Sequence, residues 1–401
     1  MPRRILLTLI LAACACWAGR VLAAPPVIPE EVRLRARQKV DGGYVPGLVI
    51  CMVNADGRSY FSYGNLSQAP GSPPTDEMAL YEIASVTKTF TGVLLAQMVV
   101  AGDVSLGDTV GSLMPVGSGM PGNGGDAITL EQLANHSSGL PSTPPNLPAT
   151  ITDFNNQFEN YGADLLYEFL DSFTLPRAPG SGFEYSNAAV GLLGHILAQS
   201  QGTDYQTLLR ERVLDPLGMS DTAIDLTAGQ QIRRAPGHHG VVERPPFEMN
   251  SLGAAGGLKS SAADLGNFLE SNLGIGEDVL DGALPLSHQR SFNLPSGPYD
   301  LGLGWWLWDG GDLVQHGGDS FGSTAFIGFR RSTGTGVAIL SNNRSHMPAG
   351  ISDLGFHCLD TNEPLDAVPA TTPVAESDLR RMVGDYGVLQ IESLYGRPVL
   401  F

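Results

Sequence analysis

The sequence predicts an α+β protein, with an antiparallel-rich sheet flanked by helices and a mostly helical lobe beside it. Two observations indicate this: β-type runs occur near both ends of the chain, and helical patterns fill the region between them. One sheet is therefore expected from about residues 28–80 and 300–361, and the helical lobe from about 81–299. A cleft between two such lobes is a natural ligand site.

The individual elements follow from local patterns. An apolar run at 48–53, a turn signal at 54–57 and aromatic residues at 60–63 predict two adjacent strands. Short β-type runs predict the later strands at 303–307, 313–316, 323–329 and 336–341. Helical periodicity predicts helices at 87–100, 129–135, 163–171, 187–200, 204–214, 261–272 and 346–359.

Composition and charge exclude one class of partner. The 401 residues are 42% hydrophobic and 16% charged, an ordinary balance for a globular protein. Lysine and arginine total 23 against 41 acidic residues, which leaves a net charge of −18. A surface of this sign repels phosphate backbones, so no nucleic-acid partner is expected.

The first 23 residues resemble a secretory signal peptide. A basic start at residues 3–4 precedes an apolar run at 5–15 and small residues at 21–23. We therefore expect a periplasmic or secreted protein. The sequence Leu-Ala-Ala-Cys ending at Cys14 leaves a lipoprotein open, and a membrane partner is expected only if Cys14 is lipidated.

The rest of the chain is expected to form one domain over 28–361, followed by a linker and short C-terminal stub over 362–401. The linker is predicted from its content of Pro, Thr and Ala. After removal of the signal peptide only Cys51 and Cys358 remain. They could pair, but nothing in the sequence requires a disulfide.

The strongest chemical motif is Ser85-Val86-Thr87-Lys88, at the start of a predicted helix. Residues three apart on a helix share a face, so the hydroxyl and the amine can meet. A nucleophilic serine needs a base, and a desolvated, neutral lysine can serve. Lys39, Lys88 and Lys259 are the chain's only lysines among 23 basic residues, and arginine could not replace a base because it does not deprotonate. An N-capping serine beside a solvated lysine is the structural alternative.

Two weaker motifs follow along the chain. Tyr185-Ser186-Asn187 offers a phenol, whose pKa a cationic lysine would lower, and an amide suited to a substrate carbonyl. His316-Gly317-Gly318 ends a predicted strand, where glycines let the backbone approach a ligand closely and a following N–H could complete an oxyanion hole. Each of these two motifs alone is better explained by a turn.

Together and in this order, the three motifs resemble those of the penicillin-recognising serine hydrolases. This family includes class C β-lactamases, D-alanyl-D-alanine carboxypeptidases, D-aminopeptidases and related esterases. The resemblance covers roughly residues 28–360 and extends to 133–141, 216–219 and 256–265. It implies a β-lactamase/transpeptidase-like fold.

The resemblance also implies roles for single residues. Ser85 matches the nucleophile, and Lys88 and Tyr185 match the proton-transfer pair. The oxyanion hole would use the main-chain N–H groups of Ser85 and Asp319. Substrate binding is expected at Asn187, His316, Gly317, Gly318 and Asp319.

The third motif departs from the β-lactamase and carboxypeptidase pattern, in which hydroxyl residues help to hold a substrate carboxylate. Gly317 and Gly318 have no side-chain donor, and an inward Asp319 would repel a carboxylate. His316 could still supply positive charge when protonated. These differences make esterase or D-aminopeptidase activity more competitive.

The leading expectation is a serine hydrolase that forms an acyl-enzyme with a β-lactam or D-alanyl peptide amide. Its partner would be a small-molecule or peptidoglycan-type substrate, with no cofactor and no metal. An esterase or D-aminopeptidase of the same family is the first alternative. A penicillin-binding sensor module that acylates without turnover is the second.

Three other features are weaker candidates. Residues 318–322 fit a G-x-S-x-G elbow, but a strand rather than a helix is predicted to follow. The acid and base for that elbow, Asp353 and His357, would lie on one helix rather than on separate loops. His238-His239 lacks the neighbours of a metal site and indicates a surface loop. Lys259 is expected to face solvent.

Overall fold

The computed structural model describes residues 24–115, 117–154, 156–294, 297–344 and 350–369, together with the backbone of three short strands between 384 and 400. The predicted signal peptide, the candidate lipid site at Cys14 and most of the predicted linker lie outside the described residues.

A seven-stranded antiparallel sheet forms the centre of the fold, with strand order β2-β1-β11-β10-β9-β8-β7. Its strands come from both ends of the domain, and the predicted α+β class is confirmed. The strands are β1 Gly47–Asn54, β2 Gly57–Gly64, β3 Leu80–Glu82, β4 His238–His239, β5 Val242–Glu243, β6 Lys259–Ser261, β7 Tyr299–Leu301, β8 Trp306–Trp308, β9 Leu313–Asp319, β10 Thr324–Arg330, β11 Thr335–Ser341, β12 Gly384–Tyr386, β13 Leu389–Leu394 and β14 Arg397–Leu400.

The helices fill most of the region between β2 and β7, and several match the sequence prediction closely. They are α1 Glu30–Asp41, α2 Thr87–Ala101, α3 Val110–Leu113, α4 Leu130–Ala134, α5 Ala163–Ser172, α6 Asn187–Ser200, α7 Tyr205–Leu209, α8 Ala228–Gln231, α9 Ala262–Asn272, α10 Ala283–Ser287 and α11 Ser352–Leu359. The predicted helix at 204–214 is α7 followed by a π-helical segment, Arg210–Leu214.

Both faces of the sheet are buried. Along β1, Val49 and Cys51 belong to one hydrophobic cluster, whereas Leu48 and Ile50 belong to the other, because successive side chains of a strand point to opposite faces. The first cluster contains α2 and α6, and the second contains α1 and α11. Cys51 and Cys358 lie in different clusters and are both free thiols, so they do not form a disulfide with each other.

One predicted strand is wrong. The run 303–307 is interrupted, and β7 and β8 lie on either side of the break. Gly304 has a left-handed backbone (φ 75°), and a Cβ there would clash with the main-chain carbonyl of Lys88. The glycine therefore lets this loop press against α2, which is a tertiary requirement that no local pattern reveals.

The short strands β3 and β6 were not predicted either. They pair antiparallel, with Glu82 opposite Lys259. Strand β3 ends directly before the turn that carries Ser85.

Among the described residues, the segment 84–101 is long and apolar enough to cross a membrane, but 72% of it is buried in the protein. It therefore matches the description of a core helix.

Candidate active site

Ser85 lies in a tight turn between the β3 strand and the α2 helix. The turn is a 3₁₀ segment, Ala84–Val86, and Ala84 before the serine has a left-handed backbone with φ 44°. The predicted i, i+3 relation holds, since Lys88 Nζ lies 3.0 Å from Ser85 Oγ. Tyr185 Oη donates a hydrogen bond of 2.8 Å to the same oxygen. The structure therefore brings the three predicted catalytic side chains together.

Lys88 is completely buried in spite of its amine. Its Nζ donates a 2.6 Å hydrogen bond to the carbonyl oxygen of Ala255. Burial lowers the pKa of Lys88 well below the ordinary lysine value of 10.5, and within the described part of the chain no carboxylate opposes the shift. A neutral amine can accept the proton of Ser85, which an ammonium cannot.

Tyr185 is held between aromatic neighbours. Its ring lies 4.5 Å from the His136 ring and 6.3 Å, nearly parallel, from the Trp306 ring, measured between centroids. Burial raises the pKa of Tyr185 above its ordinary value of 10, although the hydrogen bond to Ser85 opposes this. The expected lowering of its pKa by a cationic lysine is therefore wrong, because burial dominates and the pKa of Lys88 is itself lowered.

The third motif lies against the nucleophile turn at the end of β9. A Cβ on Gly318 would clash with the carbonyl oxygen of Ile83 and lie 3.2 Å from the main-chain nitrogen of Ser85. Gly318 is thus required for the close approach of β9 to the nucleophile turn, whereas close approach of these glycines to a ligand stays a prediction. Gly317 differs, because a Cβ there would meet nothing within 4 Å. Asp319 follows and is exposed.

His316 does not supply the positive charge that the sequence suggested. The side chain is buried, and its Nδ1 forms a 2.5 Å hydrogen bond with the carbonyl oxygen of Gly317. Burial, with a smaller contribution from Lys88, lowers the pKa of His316 to about 3. The imidazole is therefore neutral at working pH, and its Nε2 has no hydrogen-bond partner among the described residues.

A cavity of about 150 Å³ opens beside Ser85. Asn187, the first residue of α6, lines this cavity together with Ser85 and Asp319. Aromatic side chains form the rest of its wall, and Arg344 contributes a guanidinium 5.6 Å from the centre of the Phe321 ring. The aromatic wall residues are Phe158, Phe247 and Phe321.

The G-x-S-x-G segment has a structural role. Ser320 is buried in the turn between β9 and β10, where its Oγ donates to Glu82 Oε2 at 2.6 Å and accepts from the main-chain nitrogens of Gly322 and Ser323. Glu82 also accepts from the main-chain nitrogen of Phe247 at 2.8 Å. One buried carboxylate therefore joins two walls of the cavity to the strand before Ser85.

Two expectations outside the motifs are corrected. Lys259 does not face solvent: it is 3% exposed, and its Nζ donates to the carbonyl oxygen of Ile224 and pairs with Glu248 at 3.3 Å. His238 is buried in β4 rather than placed in a surface loop, and its Nδ1 lies 3.2 Å from the carbonyl oxygen of Asn342. The sequence also did not single out Ala255, since only its main chain contacts Lys88.

A serine hydroxyl that is hydrogen-bonded to a buried amine and to a tyrosine hydroxyl is the catalytic arrangement of an acyl-transferring serine hydrolase. The comparisons identify the family. The family model described as Beta-lactamase matches residues 32–355, and the chain belongs to this family. It is a serine hydrolase of the β-lactamase/DD-peptidase type.

The chain is similar to curated relatives named as a β-lactamase and as a D-alanyl-D-alanine carboxypeptidase. It is 27% identical over 320 residues to a "Beta-lactamase" of Escherichia coli K12, covering 78% of each chain. It is 28% identical to the "D-alanyl-D-alanine-carboxypeptidase/endopeptidase AmpH" of the same strain, covering 92% of this chain and 100% of the relative.

Solved structures confirm the fold. A "Beta-Lactamase/D-Alanine Carboxypeptidase" from Pseudomonas syringae has a TM-score of 0.71 at 23% identity, covering 83% of this chain and 98% of the other. A class C β-lactamase from Rhodobacter sphaeroides has a TM-score of 0.71 at 23% identity, covering 83% of this chain and 99% of the other.

Proposed function

We propose that this protein hydrolyses a β-lactam or a D-alanyl peptide amide through an acyl-enzyme on Ser85. The observation that carries the proposal is the position of Ser85 Oγ, 3.0 Å from Lys88 Nζ and 2.8 Å from Tyr185 Oη. The two relatives named as a β-lactamase and as a D-alanyl-D-alanine-carboxypeptidase/endopeptidase support this substrate class.

In the proposed reaction, Ser85 Oγ attacks the substrate carbonyl and its proton passes to neutral Lys88. The main-chain N–H groups of Ser85 and Asp319 stabilise the oxyanion. Tyr185 is protonated at rest, so it gives its proton to the leaving nitrogen and regains one from Lys88. Water then attacks the acyl-enzyme and gives a proton to Lys88; the bond from the acyl carbon to Ser85 Oγ breaks, Ser85 Oγ takes up that proton, and the acid product leaves.

The remaining motif residues would bind substrate. We assign Asn187 to the carbonyl of the substrate's side amide, because it lines the cavity beside Ser85. Neutral His316 would accept a hydrogen bond rather than attract a carboxylate. Gly317 and Gly318 would let the substrate lie along β9, next to Asp319.

We further propose a periplasmic or secreted protein that loses residues 1–23 and uses 28–361 as its hydrolase domain. Residues 362–401 would be a linker and a stub, of which β12, β13 and β14 are strands. The substrate would be a small molecule or a peptidoglycan-type peptide, and the net charge of −18 disfavours nucleic acid. Membrane attachment would require lipidation at Cys14.

The test compares wild type and Ser85→Ala on a chromogenic cephalosporin, a D-Ala-D-Ala peptide and a p-nitrophenyl ester. We expect multiple turnovers by wild type on one of the first two, and loss of at least about 10³-fold in Ser85→Ala. Stoichiometric labelling of Ser85 without turnover would instead support the sensor module. Equal turnover of all three substrates by both proteins would refute the nucleophile.

An esterase is the second candidate, and the third motif favours it. Gly317 has no hydroxyl and His316 is neutral, so neither supplies the donors or charge that hold a substrate carboxylate. Because space is open at Gly317, Gly317→Thr should raise kcat/KM for the carboxylated cephalosporin relative to the neutral ester. An esterase would prefer the p-nitrophenyl ester before and after this change.

A further inference from the structure

The loop over residues 135–142 holds the segment that carries Tyr185 by several hydrogen bonds. Asn187 N–H donates to the carbonyl oxygen of Ser142 at 3.0 Å. The Ser186 hydroxyl donates to the carbonyl oxygen of Pro141 at 2.6 Å. The position of the segment that carries Tyr185 is therefore fixed by hydrogen bonds to the loop over residues 135–142.

His136 forms hydrogen bonds with the residues directly before and directly after Tyr185 in the sequence. Its carbonyl oxygen accepts from Glu184 N–H at 2.9 Å, and its Nδ1 accepts from Ser186 N–H at 3.1 Å. Its ring packs on the Tyr185 ring with a centroid distance of 4.5 Å. One residue therefore fixes the backbone before and after the tyrosine and one face of its ring.

The backbone of His136 has an uncommon conformation. Its φ is 62°, in the left-handed region, which few residues other than glycine adopt and where asparagine, aspartate and histidine are the most frequent of these. The side chain is 2% exposed, and burial, Lys88 and His316 lower its pKa well below 6.5. A neutral imidazole can keep Nδ1 as an acceptor, as the bond from Ser186 requires.

We propose that His136 is a positioning residue, which holds Tyr185 Oη against Ser85 Oγ by accepting the Ser186 N–H. This role rests on the proposed function of Ser85 and Tyr185. It is independent of the substrate class, because it concerns only how Tyr185, the proton donor to the leaving group, is held beside Ser85.

The experiment measures how fast a fluorophosphonate probe labels the full chain. In this step Ser85 Oγ bonds to phosphorus, the serine proton passes to Lys88, and fluoride leaves as Tyr185 gives it a proton, which Tyr185 regains from Lys88. We expect His136→Ala and His136→Gln to lower the second-order labelling constant about 30- to 100-fold, since small displacements of reacting groups have effects of this size.

His136→Asn is the conservative variant. Asparagine tolerates a positive φ, and its Oδ1 can occupy the place of Nδ1. We expect its labelling constant to stay within about threefold of wild type. If His136→Asn were as slow as His136→Ala while His136→Ala stayed folded, acceptance of the Ser186 N–H would not be the cause and the proposal would fall.

A double-mutant cycle with Tyr185→Phe separates positioning from general destabilisation. If His136 acts through Tyr185 Oη, His136→Ala should change labelling by less than about twofold once that hydroxyl is absent. An equal loss in both backgrounds would overturn the proposal. If His136→Ala does not fold, the cycle is run with His136→Gln.

His288 provides a matched control. It is also buried, and its Nδ1 accepts from an N–H of Arg331 at 2.6 Å, but it touches none of Ser85, Lys88 and Tyr185. His288→Ala should lower the melting temperature and leave labelling of folded protein unchanged. A loss at His288 equal to that at His136 would overturn the specific role, whereas an unlabelled wild type would refute the proposed nucleophile itself.

Discussion

Lys39 and Lys88 are both fully buried, on opposite faces of the same sheet, and they differ in what surrounds the amine. Lys39 lies on α1, with its Nζ 3.7 Å from the Asp353 carboxylate on α11. Lys88 has a carbonyl oxygen and a serine hydroxyl as partners instead. Burial lowers the pKa of both, but Asp353 opposes the shift at Lys39. The missing counter-charge, rather than burial alone, makes Lys88 suited to act as a base.

The largest expected effect is on catalysis at Lys88. In Lys88→Arg, the guanidinium cannot deprotonate, so kcat/KM should fall by about 10³-fold or more on the substrate that wild type turns over best. Lys39→Arg is the matched control, because a permanent cation suits the site beside Asp353, and its activity should stay within about threefold. Comparable losses in both variants would show that these two lysines do not differ in function.

The next effect is on stability at Lys39. Lys39→Met leaves the Asp353 carboxylate, whose side chain is 5% exposed, without its cation. The free energy of unfolding should fall by about 3 kcal/mol in a urea titration, since breaking a buried pair strands a charge. The double variant Lys39→Met/Asp353→Asn should regain most of this loss. If it does not, the pair is not the source of the stability.

Helices and the catalytic spacing could be predicted from the sequence because both are local. The limits of α6 match the prediction, and the three-residue step from Ser85 to Lys88 needs only helical geometry. The break at Gly304 could not be predicted, since it depends on the approach of a distant carbonyl of α2. Local periodicity contains no record of such contacts.

The charge states at the site were harder to predict than the residues. The structure places Tyr185 against Ser85 and His316 near Tyr185, but the predicted direction of the pKa shift of Tyr185 and the positive charge suggested for His316 were wrong, because burial depends on the whole fold. The prediction that Lys259 faces solvent was wrong for the same reason. The scarcity of lysine did not distinguish Lys88 from two other buried lysines, both of which pair with carboxylates.

A smaller effect, opposite in sign to that at Lys39, is expected for the stability of Lys88→Met. The folded protein holds Lys88 with a pKa below 10.5, so the unfolded chain binds a proton more readily and wild-type stability rises with pH up to about 10.5. Replacing the amine removes this penalty, and the free energy of unfolding should increase by about 1 kcal/mol near neutral pH.

The pH dependence of the free energy of unfolding tests the cause of the increased stability of Lys88→Met. The advantage of Lys88→Met over wild type should shrink as pH rises towards 10.5, because the penalty on the amine disappears there. A gain independent of pH would point to better packing instead. A loss of stability at neutral pH would mean that the hydrogen bond to the Ala255 carbonyl outweighs desolvation.

Lys259 has a carboxylate partner, as Lys39 does, but that partner is more exposed. Of the three lysines, its replacement should change the free energy of unfolding least. It is 3% exposed and thus buried like the other two lysines, but the side chain of its partner Glu248 is 39% exposed. In Lys259→Met, water can solvate the abandoned carboxylate, so the free energy of unfolding should fall by only about 1 kcal/mol or less. A loss as large as that of Lys39→Met would show that burial of the amine sets the cost. A small loss would show instead that the cost depends on how deeply the partner charge is buried.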